Sequence, residues 1–109
     1  MAQFDVHRNS GPLKEDIPFV VVVQSSLFDG YRRRVVVPLV RRRALSAHTS
    51  AAGTRTNPVF RIKGSDVVLH PLDIVSARLD QLGPKVASLE AEGQRITDAI
   101  DEVLTRSWG

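Results

Sequence analysis

A chain of 109 residues, with 42% hydrophobic and 25% charged residues and a formal net charge of +3, suits one domain spanning residues 1–109. Such a domain buries roughly two-thirds of its unfolded surface without covalent staples. The absence of cysteine excludes disulfides, thiolate metal sites and cysteine nucleophiles, and fits a reducing compartment.

The start, Met1–Asp5, lacks the basic and apolar regions of a secretory signal. Apolar runs stop at about seven residues, against the roughly 20 that cross a bilayer. A cytoplasmic protein with no membrane association is expected. Phe4 and Val6 alternate with polar neighbours and predict a short first strand. Residues 8–16 carry Gly11-Pro12 amid polar residues and predict an exposed loop. Ile17–Val23 is almost wholly apolar and β-branched, as in a strand buried on both faces. Val35–Val40 repeats the pattern, and Pro38, which cannot donate to a ladder, predicts a strand exit, an edge or a bulge there. Asp29-Gly30 marks the turn between these strands. The connection also carries Leu27 and Phe28, which either fold back onto the core or form a contact surface.

Arg43–Asn57 reads as a polar excursion with a helical turn around Ala44-Leu45. Pro58–Ile62 and Val67–His70 read as a hairpin around Lys63–Asp66, and Ile74–Leu79 as a further strand. Gly83-Pro84 breaks the strand pattern, and the remaining segment reads as helix. Leu89, Ile96, Ile100 and Val103 fall on one stripe, which Ala99 and Leu104 broaden, while acidic residues occupy the other faces. Gly93 weakens that helix by about 1 kcal/mol relative to alanine. One amphipathic helix after many strands predicts an antiparallel sheet or small barrel covered by a terminal helix.

Two arginine triplets, Arg32-Arg33-Arg34 and Arg41-Arg42-Arg43, form either a basic patch for nucleic acid or an acidic protein segment, or a solvated hairpin rim. His7, His48 and His70 have no spacing partner for a metal, and no cofactor motif is present. Phosphate loops, nucleophile elbows and paired-carboxylate motifs are also missing, which favours binding over catalysis. One enzymatic reading needs no motif. Metal-free RNA cleavage by the arginine triplets, Thr54, Thr56 and His48 would leave little trace in spacing.

The chain resembles the CcdB family, the toxins of bacterial toxin–antitoxin modules. The strongest block runs from Phe19 to Leu39, through Val23-Gln24-Ser25, Leu27-Phe28-Asp29, Arg33-Arg34 and Val37-Pro38-Leu39. Gln3–Val6, Pro58-Val59 with Ile62, Asp73–Ala77, and Gly83, Val86, Leu89, Ile96, Ala99 and Ile100 extend it in order. The resemblance implies an SH3-like antiparallel β-barrel with a small auxiliary sheet and one C-terminal α-helix, assembled as a homodimer. It implies a binding protein that traps DNA gyrase on cleaved DNA through the gyrase A subunit. It also implies an antitoxin with a disordered acidic C-terminal segment, with DNA met only indirectly through the toxin–antitoxin complex.

In the family, a Trp-Gly pair followed by isoleucine at the end of the last helix meets gyrase, and Trp108-Gly109 resembles that pair. Asp101 and Leu104 on the helix and Leu27-Phe28 in the loop join it as implied gyrase contacts. An exposed indole can stack on a guanidinium and is a preferred hot spot. The arginines of both triplets are then candidates for antitoxin or nucleic acid. Trp108 lies three residues beyond the family position, which in a continuing helix is about 4.5 Å along the axis and about 60° around it. The final isoleucine is missing. An endoribonuclease toxin of the same barrel, and a non-toxic member serving antitoxin binding and operon regulation, are the alternative readings.

Overall fold

The sheet is built around one long strand. The computed structural model describes residues 2–45 and 52–106. Its strands are β1 (Asp5–Asn9), β2 (Phe19–Val22), β3 (Arg33–Arg41), β4 (Val59–Ile62), β5 (Ser65–Leu69), β6 (Val75–Arg78) and β7 (Leu82–Ser88), followed by α1 (Gly93–Asp101). Every pairing is antiparallel, in the order β4-β5-β3-β2-β1-β7, with β6 joined to β3. The result is a seven-stranded half-barrel with one C-terminal helix among the described residues, the class expected from the sequence. None of its helices is long and apolar enough to cross a membrane.

β3 pairs with β2 along one side, from Val36↔Val22 to Leu39↔Phe19. Its other side is shared. β6 takes Arg33–Val36 and β5 takes Leu39–Arg41. Pro38 falls in the gap between them, so its missing N–H leaves no ladder bond unmade, while its carbonyl accepts from His70 N at 3.1 Å. Pro38 is therefore an interior residue of the strand rather than its exit. Val6, Val21, Val37, Leu39, Val67 and Leu69 are fully buried in the resulting core, each worth about 1.5–3 kcal/mol of apolar transfer.

The β4–β5 hairpin turns on Lys63 and Gly64 alone, with φ of 52° and 80°. Both residues in the left-handed region are what a tight hairpin with matching twist requires. The turn is thus shorter than the expected Lys63–Asp66, and β5 begins at Ser65.

The largest departure from expectation is β7. Gly83-Pro84 lies inside a strand rather than ending the strands. β7 is an edge strand, where a residue without N–H is tolerated, and its pairing with β1 carries register shifts on either side of His7. A Cβ on Gly83 would lie 2.7 Å from the Arg8 carbonyl oxygen, so only glycine lets the strands approach. His7 Nδ1–H donates to the Gly83 carbonyl at 2.9 Å across this irregular pairing.

The helix consequently starts at Gly93. Leu89, expected on its stripe, instead directly follows the strand and donates its N–H to Phe4 O at 2.8 Å. Ile96 and Ala99 are buried as expected, with Ile100 packed at the margin. Arg95 lies over the Phe60 ring at 4.6 Å and donates to the Val59 carbonyl at 3.1 Å, fastening the helix to β4.

Gly93 is held against Phe4, whose φ is 70°. A Cβ on Gly93 would come within 2.5 Å of Phe4 Cε2. Gly93→Ala gains about 1 kcal/mol of helix propensity and meets an overpacking penalty of about 1–3 kcal/mol. Urea denaturation should show a net loss, and the loss should vanish in a Phe4→Ala background; equal effects in both backgrounds would exclude this contact as the reason for glycine.

Candidate functional site

The connection from β2 to β3 is short in regular structure and dense in side-chain hydrogen bonds. Ser25 Oγ accepts from Leu27 N at 3.2 Å and starts a 3-10 turn over Ser26–Phe28. Gln24 spans the base of the loop: its amide nitrogen donates to the Phe28 and Arg33 carbonyls, and its amide oxygen accepts from Val35 N. Arg34 then closes it from beneath. Only 4% exposed, its guanidinium donates to the carbonyls of Tyr31 (2.6 Å), Arg33 (3.0 Å) and Asp29 (2.9 Å). Its Nε, buried without a hydrogen-bond partner, lies 3.8 Å from Asp29 Oδ1.

With its polar groups satisfied from below, the loop presents apolar side chains above. Leu27 is 88% exposed, Tyr31 67% and Phe28 about half. Phe28 and Tyr31 meet edge to face at 6.0 Å, a pairing worth about 0.5–1.5 kcal/mol beyond its area. Leu27 and Phe28 therefore do not fold back onto the core. Tyr31 completes the patch and was missed in the sequence, although a large aromatic beside the turn signal is visible there.

The first arginine triplet divides. Arg34 is turned inward as the loop's anchor, which corrects its reading as a partner-facing cation. Arg32 and Arg33 line an open cleft of about 460 Å³ with Arg78, Leu79 and Asp80. Arg78 arrives there through the cross-strand register Arg33↔Arg78, a non-local pairing that spacing does not reveal. Its guanidinium, bonded to Asp80 through Nε at 3.1 Å, holds that carboxyl below the usual carboxylate range.

The second triplet lies at the far end of β3. Arg41 is half-buried and bonded to the Glu15 carbonyl and to Ser65 Oγ. Arg42 and Arg43 are exposed on the following 3-10 turn. All three line a cleft of about 530 Å³ with Arg61, Gly64, Ser65 and Asp66.

A third, smaller cleft contains Thr54, Arg55, Arg95 and Asp98. Thr54 Oγ1 is occupied in a turn, accepting from Asn57 N at 3.2 Å, and Thr56 is half-buried outside all three linings. No described residue lines two of these clefts, so the described arginines and threonines of the nuclease reading are not brought together. His48 lies outside the described residues. His70 pairs with Asp73 at 3.2 Å. Among the described residues no three potential ligands gather as a metal centre.

At the helix end, Arg55 meets Glu102 at 3.9 Å. Asp101 is half-buried and Leu104 exposed. Beyond Asp101 the backbone widens into a π-helical turn over Glu102–Arg106. Such a turn closes its bonds five residues apart rather than four. Trp108 and Gly109 themselves lie outside the described residues.

The family model of the CcdB protein matches residues 3–106. The chain belongs to the CcdB family. Among curated proteins, no sequence matches significantly. Among solved structures, the CcdB-family chain is similar to an "Endoribonuclease in complex with its cognate antitoxin from Mycobacterial species", with 16% identity and a TM-score of 0.73. That likeness covers 100% of this chain and 99% of the other, and at this identity it speaks for the fold.

Two predictions follow from the loop and its neighbouring cleft. Arg34→Met leaves the Tyr31 and Asp29 carbonyls to water, costing about 1–3 kcal/mol; hydrogen exchange should accelerate most at Phe28, Asp29 and Tyr31, and unchanged protection there would remove Arg34 as the anchor. The Asp80 carboxyl, followed by NMR titration, should have a midpoint below that of an ordinary aspartate, and Arg78→Gln should bring it back up. Because the pKa is lowered in the folded chain, any stability it contributes is present above the unfolded-state value and fades as pH falls through the folded one.

Proposed function

We propose that the chain is the toxin of a toxin–antitoxin module, acting by binding rather than catalysis. Its target in this reading is the A subunit of DNA gyrase, which a toxin homodimer traps on cleaved DNA in the cytoplasm. A partner antitoxin with a disordered acidic segment neutralises it. Family membership over residues 3–106 supports the toxin class.

The observation that carries the binding mode is the loop from Gln24 to Arg32. An apolar patch of Leu27, Phe28 and Tyr31 stands in solvent on a backbone pinned by Gln24 and Arg34. Holding apolar groups in water in a fixed shape costs stability and is repaid only on binding. Asp101, Leu104 and the sequence-based candidates Trp108 and Gly109 supply the helix-end half of the gyrase contact.

The second reading is an endoribonuclease toxin. Its support is the shared fold with an endoribonuclease held by its antitoxin and the abundance of arginine. Against it stands the separation of the arginines and Thr54 into clefts that share none of the described residues.

Purified chain should inhibit gyrase supercoiling and accumulate cleaved DNA. Leu27→Ser with Phe28→Ser should raise the inhibitory concentration at least ~10-fold, equivalent to about 1.4 kcal/mol of binding. Trp108→Ala should act in the same direction. Cleavage of RNA by the purified chain with supercoiling untouched would replace this reading with the nuclease.

A further inference from the structure

The cleft at the far end of β3 from the apolar loop is not used by the gyrase reading. Four guanidinium groups, those of Arg41, Arg42, Arg43 and Arg61, line it with one carboxylate, Asp66. That carboxylate is already paired with Arg61 at 2.9 Å. The excess of three positive charges is greater than that of the described lining of either other cleft. Arg41 is fixed by its bonds to the Glu15 carbonyl (2.7 Å) and Ser65 Oγ (3.2 Å). The side chains of Arg42 and Arg43 make no hydrogen bond or ion pair among the described residues.

We propose that this cleft binds the phosphodiester backbone of duplex nucleic acid without reading its sequence. Guanidinium forks match phosphate oxygens two at a time, and an open cleft of about 530 Å³ admits a chain of phosphates rather than enclosing a single ion. The lining decides among polyanions. Among the described residues that line the cleft there is no aliphatic or aromatic side chain, so an acidic peptide would find no pocket there for its apolar residues. Single strands would find no ring on which to stack their bases. Asparagine and glutamine, the usual readers of adenine edges, are absent from it too. What the cleft offers is charge and hydroxyl, the groups that position a protein on a duplex and carry no sequence information. The proposal is independent of gyrase binding, which it places on other residues.

The test uses the full chain and fluorescence anisotropy with a labelled duplex of about 20 base pairs, one of its strands alone, and a polyglutamate peptide. The duplex should bind more tightly than the strand or the peptide, and two unrelated duplex sequences should agree within about threefold. Three to four phosphate contacts give a log–log salt slope of about −3. Arg42→Glu with Arg43→Glu should weaken binding at least ~30-fold and flatten the slope by about 2, with the melting temperature unchanged because both side chains are exposed. Arg43→Ala alone should act in the same direction on a smaller scale. The same charge reversal at Arg32 and Arg33 should change affinity less than about threefold.

Equal losses from the two reversals would reduce the effect to net charge and overturn the site. Preference for the single strand or for the peptide would overturn the assignment of ligand. No duplex binding at low salt would overturn both. Because supercoiling inhibition is read separately, its failure leaves these outcomes unaffected.

Discussion

The structure depends on β3 having three hydrogen-bonded partners. β2 pairs with its middle, Val36 to Leu39, on one side, and the other side is divided between β6 and β5. A strand shared in this way must be long, apolar in its middle and polar where it emerges. Arg33-Arg34, then Val35 to Val40, then Arg41 meets those conditions. Division of one edge also creates an interior position where proline costs no ladder bond. Pro38 is thus a consequence of the architecture rather than a flaw in it.

The apolar β-branched runs of β2 and β3 were legible because their pattern is local. So were the hairpin of β4 and β5 and the buried face of Ile96 and Ala99. β7 was not, since Gly83-Pro84 has the composition of a break and only the close approach to Arg8 and the edge position make it strand. Leu89 kept a helical spacing to Ile96 while directly following the strand. At the sites, the sequence identified Leu27 and Phe28 as unusual and both arginine triplets as notable. It could not separate Arg34 from its neighbours, because burial of that guanidinium is set by carbonyls of Asp29 and Tyr31 that turn toward it only in the folded loop. The contributions of Arg78 and Arg61 to the clefts arise from strand register and from the hairpin, which no spacing encodes.

A buried guanidinium is usually a liability, since removing such a charge from water is costly unless every donor finds a partner. Arg34 meets that condition in part, placing three of its five N–H groups on backbone carbonyls while Nε has no hydrogen-bond partner. The loop it holds has exposed apolar side chains and little regular structure, features that would otherwise permit collapse onto the barrel. Stability at one position therefore secures shape at another, and the same residue type serves opposite purposes one position apart in Arg33 and Arg34.

The two larger clefts sit at opposite ends of β3, with Arg33 in one and Arg41 in the other. Eight residue steps of an extended strand set them about 25–27 Å apart, and pairing with β2, β5 and β6 holds that strand extended. The molecule therefore carries a built-in gauge. A single elongated partner can satisfy both ends only if its anionic features repeat near that length, whereas two separate partners can occupy the ends together without touching. Selection between those arrangements rests on a dimension of the backbone, which side-chain substitution at either end leaves intact.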